Sequence, residues 1–421
     1  MISLQRLFKL NMSTIKNLIE SFKESESASG ILFKTMLLKK AVLSHIIKNK
    51  RSTIAELALQ TNTSIPKINE IILELLENGV LMDLGKELNG VGRKPNFYGV
   101  NPKAAYLLSV EVNRYSINIA IVDFNENLIE YKGFSDYILE NNSYSYELLC
   151  THIDKFLHDT KVSISEIIGL GLTITGRVNQ YTGNSYSYFN FLKKSISESL
   201  SERFNLPTMV ENDTRAMAFG EYNKGVVQNE DNILFLNLDD GIGMGIIVNG
   251  QLYSGKSGYS GEFGHLPILA NDIICHCGKK GCLETEVSGL AIVNQVKEEL
   301  IAGTTSLLHE RYNLDEIKIK QVVEAALKDD TLSIDLISKA GEKIGKGVAI
   351  LLNLFNPELI ILGGELSNSK SLILLPILSS INKHSLNLVN TDTEFKYSVL
   401  GNNSGLIGIA LLLRNKLLAI S

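Results

Sequence analysis

Three cysteines fall within eight residues, at Cys275, Cys277 and Cys282 of the stretch CHCGKKGC, and His265 stands ten positions ahead of the first. No other local pattern limits this chain so tightly. Three soft sulfurs and one imidazole are the donor set of a closed, tetrahedral, structural zinc site. A single residue separates Cys275 from Cys277, which makes a disulfide between them awkward. Gly278 and Gly281 supply turns that let backbone wrap an ion. The competing reading of the same residues is three buried, inert thiols acting as small hydrophobes. We read a Zn2+ held by His265, Cys275, Cys277 and Cys282, in a loop that presents Glu262 and Glu284 rigidly to something polar.

Charge divides the chain. Residues 1–100 hold 14 Lys and Arg against 9 Asp and Glu, whereas the remainder holds 27 against 37. A basic head on an acidic body suits a polyanionic partner for the head. Within that head, apolar spacing predicts a helix over 31–50, a short helix over 53–60, a polar break at 61–64 and a third helix over 65–77. Ser64 is placed to cap the third helix and Pro66 fits its first turn. A stripe of Ile65, Ile68, Ile72 and Leu75 or Leu76 turns Ser64, Lys67, Asn69 and Glu70 outward. Short strands near 80–84 and 96–100 flank the sequence GKELNGVGRKP. This is the order of a winged helix-turn-helix. Any three-helix packing element would share the stripe, but Gly92-Arg93-Lys94-Pro95 forms little core and suits phosphate or minor-groove contact. Operator DNA is the expected partner, met by Ser64, Lys67, Asn69, Arg93 and Lys94. Residues 1–30 read as a helical arm ending in a polar break, serving either as an arm or as a dimer contact.

Beyond Pro102 the pattern becomes α/β. Strands are expected over 106–112, 116–122, 127–131 and 167–174, with helices near 146–158 and 192–204. A second strand pair at 232–238 and 243–248 precedes helices at 287–302, 316–328 and 333–355 and a buried strand at 359–362. Two halves that open alike imply a two-lobed fold with a cleft between the lobes. No apolar run reaches the roughly 18 residues that span a bilayer. The N-terminal region lacks a signal-peptide core, and with few cysteines, most of them clustered, the expected compartment is a reducing cytoplasm.

Five motifs, in order, carry a family resemblance. They are Val210-Glu211-Asn212-Asp213, Asp240-Gly241-Ile242-Gly243-Met244-Gly245, the GEFGH of 261–265, the CHCGKKGCLE of 275–284 and the NPELIILGGEL of 356–366. Together they resemble the ROK family of repressors, open reading frames and sugar kinases. The resemblance implies an actin-like, ribonuclease-H-like ATPase fold over 104–421, in lobes of roughly 104–228 and 229–421. Ahead of it would lie the winged helix-turn-helix at 31–103 and the arm at 1–30. A winged head resembles the family's transcriptional regulators of sugar metabolism. The resemblance also implies zinc on His265, Cys275, Cys277 and Cys282, and sugar hydroxyls on Asn212, Asp213, Glu262, His265 and Glu284. Asp213 matches the catalytic base of the family's kinases. A homodimer or homotetramer is implied by paired heads reading a palindrome.

Departures from the family pattern bear on catalysis. The first phosphate loop of its kinases reads Asp-x-Gly-x-Thr, where this chain has Glu111-Val112-Asn113-Arg114-Tyr115. The second, Gly-Thr-Gly, is replaced by Asp239-Asp240-Gly241. Without the first glycine, backbone cannot approach phosphate closely, and paired carboxylates repel a triphosphate. Thr175-Gly176 stands where the family often has Pro-Gly. The expectation is therefore a sugar-responsive transcriptional regulator, a repressor, with no catalytic residue in use. Its effector would be a sugar or sugar phosphate. Two alternatives stay open: an ATP-dependent sugar kinase with an appended DNA-binding head, and a regulator with a vestigial sugar site that answers to a protein partner.

Overall fold

The structure is a computed structural model that describes residues 15–22, 30–86 and 95–420. The chain forms two compact units, Met1–Asn212 with Leu406–Ser421, and Asp213–Gly405. The division at Asn212/Asp213 and the return of the last residues to the first unit differ from the lobes at 104–228 and 229–421 drawn from sequence. Among the described residues no helix is long and apolar enough to cross a membrane.

The first unit opens with helical residues 15–22, which bury Ile15, Leu18, Ile19 and Phe22; the rest of the proposed arm lies largely outside the described residues. Helices Ile31–Asn49, Ile54–Gln60 and Ile65–Glu77 follow, then antiparallel strands Leu81–Lys86 and Asn96–Val100. Thr53 caps the second helix in a reciprocal capping box with Glu56. Ile68, Ile71, Ile72 and Leu75 bury the inward face of the third. Ile65 departs from the expected stripe. It is 57% exposed at the helix start, where its Cβ direction lies over the preceding turn rather than over the core.

A five-stranded sheet follows, in the order Leu128–Phe134, Ser116–Asp123, Tyr106–Asn113, Ile167–Ile174, Thr208–Asn212. Its first three strands are antiparallel neighbours and its last three parallel ones. The parallel strands read as continuous apolar runs because both faces are covered, and Ile167–Ile174 is buried throughout. The final helix, Ser404–Leu418, lies against this strand. A Cβ on Gly171 would fall 2.7 Å from Ile409, so only glycine lets helix and strand approach this closely.

The second unit repeats the sheet order with Gln251–Leu252, Ile242–Val248, Ile233–Leu238, Leu359–Gly363 and Glu394–Tyr397. The same antiparallel-then-parallel arrangement in both units is the ribonuclease-H-like fold expected from the family. The long helix Thr331–Phe355 starts where Asp330 accepts the Ser333 N–H at 3.0 Å and stops at Asn356, whose φ is 41°. It runs alongside Ser371–His384 over the largest apolar core of this unit. The helix expected from 192 begins only at Ile196, capped by Ser195.

Candidate metal centre and ligand site

The loop from Gly258 to Glu284 is built by turns that only its sequence permits. Gly261, at φ 87°, sits so close to strand Ile242–Val248 that a Cβ would lie 2.1 Å from the Met244 carbonyl. Phe263, almost fully buried, anchors the segment. Pro267 pairs with Cys282 and Ile274 with Lys280 in isolated bridges. The Cys275 N–H donates to the Lys279 carbonyl at 2.8 Å and the Gly278 N–H to the Cys275 carbonyl at 2.8 Å.

This folding brings four donors together. One ligand atom from each of His265, Cys275, Cys277 and Cys282 lies within 4.8 Å of the others. Cys277 Sγ stands 3.6 Å from Cys282 Sγ, and Cys275 Sγ 3.6 Å from His265 Nδ1. A disulfide needs about 2.05 Å, so the cysteines are free thiols. Tetrahedral zinc, with Zn–S near 2.3 Å and Zn–N near 2.0–2.1 Å, places donor pairs about 3.5–3.8 Å apart. The residues therefore fit zinc. Burial pushes the Cys282 thiol well up, and a bound cation would offset that cost by holding the thiolate.

His265 has two possible tasks, and its two nitrogens divide them. Nδ1 faces Cys275, while Nε2 lies 3.7 Å from Glu262 Oε2. A carboxylate behind a metal-bound imidazole orients the ring and fixes its tautomer. Glu284 begins the short helix Glu284–Val287 with its side chain 15% exposed. Its Oε2 accepts the Ile242 N–H at 3.1 Å, and its Oε1 lies 3.2 Å from His276 Nδ1. Burial alone would raise its pKa, yet the His276 and Ile242 hydrogen bonds outweigh burial and keep it below the usual carboxylate range. Sequence reasoning missed His276, the residue between the first two cysteines. Its ring also meets that of His265 edge-on at 5.1 Å. In the structure His276, His265 and Glu284 form a second possible donor group.

Asp213 opens the helix Asp213–Lys224, where its Oδ1 accepts the Thr214 N–H at 2.7 Å. Thr214 packs at Gly243, and Glu284 at Gly241, two positions along the same glycine-rich edge. Asp213 and Glu284 thus approach one strand end of the second unit. In the first unit, Asn212 ends strand Thr208–Asn212 and donates from Nδ2 to the Gly176 carbonyl at 3.1 Å.

Glu111 and Asp239 open the two stretches set against the family's phosphate loops above. Glu111 is buried, and its Oε2 accepts from Asn118 Nδ2 at 2.8 Å. Arg114 stacks over Tyr115, 5.6 Å from the ring centre. Burial, with Asp240 beside it, pushes Asp239 up to about 7; its Oδ1 accepts the Asp240 N–H at 2.9 Å.

In the head, Ser64 occupies the N-cap position of helix Ile65–Glu77, but its hydroxyl makes no cap hydrogen bond. Asn69 is exposed, and Lys67 pairs with Glu70 at 2.9 Å. Ile65 joins this exposed helix start, an apolar group suited to a thymine methyl that the stripe reading had assigned to the core. Arg93 and Lys94 lie outside the described residues.

The ROK family profile matches residues 107–416, and a winged helix-turn-helix DNA-binding profile matches residues 37–82. Over 383 residues the chain is 27% identical to the xylose repressor of Bacillus subtilis (strain 168), covering 88% of this chain and 93% of that protein. Over 362 residues it is 27% identical to the DNA-binding transcriptional dual regulator NagC of Escherichia coli (strain K12), covering 85% and 88%. Among solved structures it resembles a ROK family transcriptional regulator described as a homolog of the E. coli MLC protein. That likeness has a TM-score of 0.77 and 27% identity, covering 91% of this chain and 98% of the other. A ROK family glucokinase from Streptomyces griseus, solved with glucose and AMPPNP, matches with a TM-score of 0.65 and 26% identity, over 73% and 99%. With a family match well beyond half its length, the chain belongs to the ROK family and carries a winged helix-turn-helix ahead of its ROK domain.

Proposed function

We propose that this protein is a sugar-responsive transcriptional repressor whose kinase-like domain senses its ligand without phosphorylating it. The supporting observation is a DNA-binding head joined to a ROK domain in which Asn113 and Tyr115 stand where the first phosphate loop of the family's kinases has glycine and threonine, and Asp239 and Asp240 stand in place of the second loop's Gly-Thr. Glu111 is locked among asparagines, and Asp239 lies beside Asp240. A nucleotide triphosphate needs backbone N–H groups and cations there. Asn212, Asp213, Glu262, His265 and Glu284 bind the sugar, because amides and carboxylates match adjacent hydroxyls as donors and acceptors. Buried groups of this kind reject ligands that leave them unpaired. Asp213 then holds a hydroxyl without taking its proton through to phosphate.

Zinc on His265, Cys275, Cys277 and Cys282 supplies a fixed positive centre that keeps the thiolates charged and the loop ordered. With Nδ1 turned to the metal, His265 offers Nε2 to Glu262 and to ligand. Ser64, Lys67, Asn69, Arg93 and Lys94 contact operator DNA, arranged in pairs by a homodimer or homotetramer in the cytoplasm. A coupling of about 1–3 kcal/mol between sugar and DNA binding makes the switch. The name of the similar xylose repressor supports a sugar as effector. The glucokinase likeness keeps the kinase reading as the alternative.

The test pairs a thermal-shift screen over pentoses, hexoses, 2-acetamido sugars and their phosphates with a coupled ADP-release assay over the same panel. A shift without turnover is expected. Turnover abolished by Asp213→Asn would overturn the non-catalytic reading, and no shift with any sugar would remove the sugar site.

A further inference from the structure

Glu126 is a buried carboxylate in the hairpin turn between strands Ser116–Asp123 and Leu128–Phe134. Its φ is 71°, a conformation that a non-glycine residue adopts at a cost in backbone strain. Retaining glutamate there calls for a gain made by the side chain. That side chain has two cationic partners. Oε2 lies 2.6 Å from Lys50 Nζ, and Oε1 lies 2.9 Å from Arg414 Nη1.

The partners come from opposite ends of the chain. Lys50 ends the head's first helix, Ile31–Asn49, and is about half exposed. Arg414 sits on the final helix, Ser404–Leu418, with 3% of its side chain exposed. The same turn also holds the linker between head and core, because the Phe124 N–H donates to the Pro102 carbonyl at 3.1 Å. Arg414 Nη1 lies 3.3 Å from the Phe124 carbonyl. Head, linker and last helix therefore meet at one turn within the first unit.

The last helix in turn touches the strand that neighbours the proposed ligand site. Ile409 and Leu413 press on Gly171 and Gly169 of strand Ile167–Ile174. That strand pairs with Thr208–Asn212, placing Ile174 opposite Asn212. A rigid sheet and a helix seated on glycines transmit small displacements instead of absorbing them.

We infer that the Lys50–Glu126–Arg414 ion triad is the strut through which ligand binding near Asn212 sets the position of the DNA-binding head. Lys50 and Glu126 are positioning residues: they touch neither DNA nor sugar. This rests on the sugar-responsive reading above, and the test separates the two. Lys50→Asn suits the purpose because asparagine tolerates the left-handed backbone at position 50, where φ is 66°. The Glu126–Arg414 pair stays intact and neutral in that variant, so no buried charge is left alone. A second variant, Glu126→Gln with Arg414→Gln, neutralises both buried groups together.

Full-length protein would be titrated by fluorescence anisotropy against a duplex selected by the wild type from a random pool. The titrations would run with and without D-xylose, D-glucose, N-acetyl-D-glucosamine and their phosphates, while calorimetry measures sugar binding separately. In the wild type, sugar should weaken DNA binding by about 5- to 150-fold. Both variants should bind sugar and sugar-free DNA within about twofold of wild type with an unchanged salt slope, while the sugar effect falls below about threefold. An undiminished sugar effect in both variants overturns the strut. A reduced salt slope in Lys50→Asn overturns it too, since Lys50 would then be a phosphate contact. A wild type that binds none of these sugars by calorimetry fails the sugar-responsive reading itself, and the strut with it.

Discussion

Replacing Cys282 with serine probes the proposed metal centre at the most buried of its four residues. Cys282 is fully buried, and its Sγ lies 3.6 Å from that of Cys277. Structural zinc bound by four ligands contributes about 10–16 kcal/mol of apparent binding energy. One ligand of four is then worth roughly 3 kcal/mol, so a serine hydroxyl should weaken zinc binding about 100-fold or more. The effect should stay local. Leu283 and Phe263 keep their places in the core of the second unit, whereas the head belongs to the first unit. Metal content of protein purified without chelator, followed by competition with a chromophoric chelator, measures the loss. Sugar titration should show a parallel fall, because His265 and Glu284 flank the same loop, while sugar-free DNA affinity stays unchanged. Well under one zinc per wild-type chain, or equal zinc affinity in wild type and Cys282→Ser, refutes the metal assignment.

Further outcomes are expected elsewhere. Glu284→Gln retains size but loses charge, and should lower sugar affinity about 10- to 100-fold by calorimetry, the range for a charged hydrogen bond, with sugar-free DNA affinity intact. Arg93→Ala should weaken DNA binding and reduce the magnitude of the log–log salt slope by about one; an unchanged slope removes the wing from the interface. Glu230 is held down to about 2: burial pushes it up, but the Lys396 ammonium at 2.6 Å and the Gln228 and Asn229 N–H groups outweigh burial. A carboxylate with a depressed folded pKa stabilises above its unfolded value near 4.5 and loses that stabilisation as pH falls toward 2. After solvent screening the amount is about 1–2 kcal/mol, and urea unfolding of Glu230→Gln should lack that part of the acid sensitivity.

Local chemistry was the most legible part of the sequence. The cysteine spacing and its glycines specified a loop whose donors do come together. The long helix expected over 333–355 runs from Thr331 to Phe355, starting two residues earlier where Asp330 caps it. What stayed hidden depends on contacts between distant segments. Nothing local marks Glu126 as buried, or Arg414 as its partner 288 positions later, a separation read from their numbers. Ile65 looked like core because it continued a helical stripe, yet the helix begins there and leaves it 57% exposed. His276 looked like a spacer between ligands until the turn at Gly278 brought it beside Glu284.

The central claim is that sugar binding in the ROK domain lowers operator affinity without chemistry on the sugar. It is tested most directly by titrating full-length protein against its selected duplex in the presence of the sugar panel, with ADP release followed in the same samples. A drop in DNA affinity of about fivefold or more with one sugar class, and no ADP formed, is the predicted result. DNA affinity indifferent to every sugar, or steady ADP formation lost in Asp213→Asn, would contradict it.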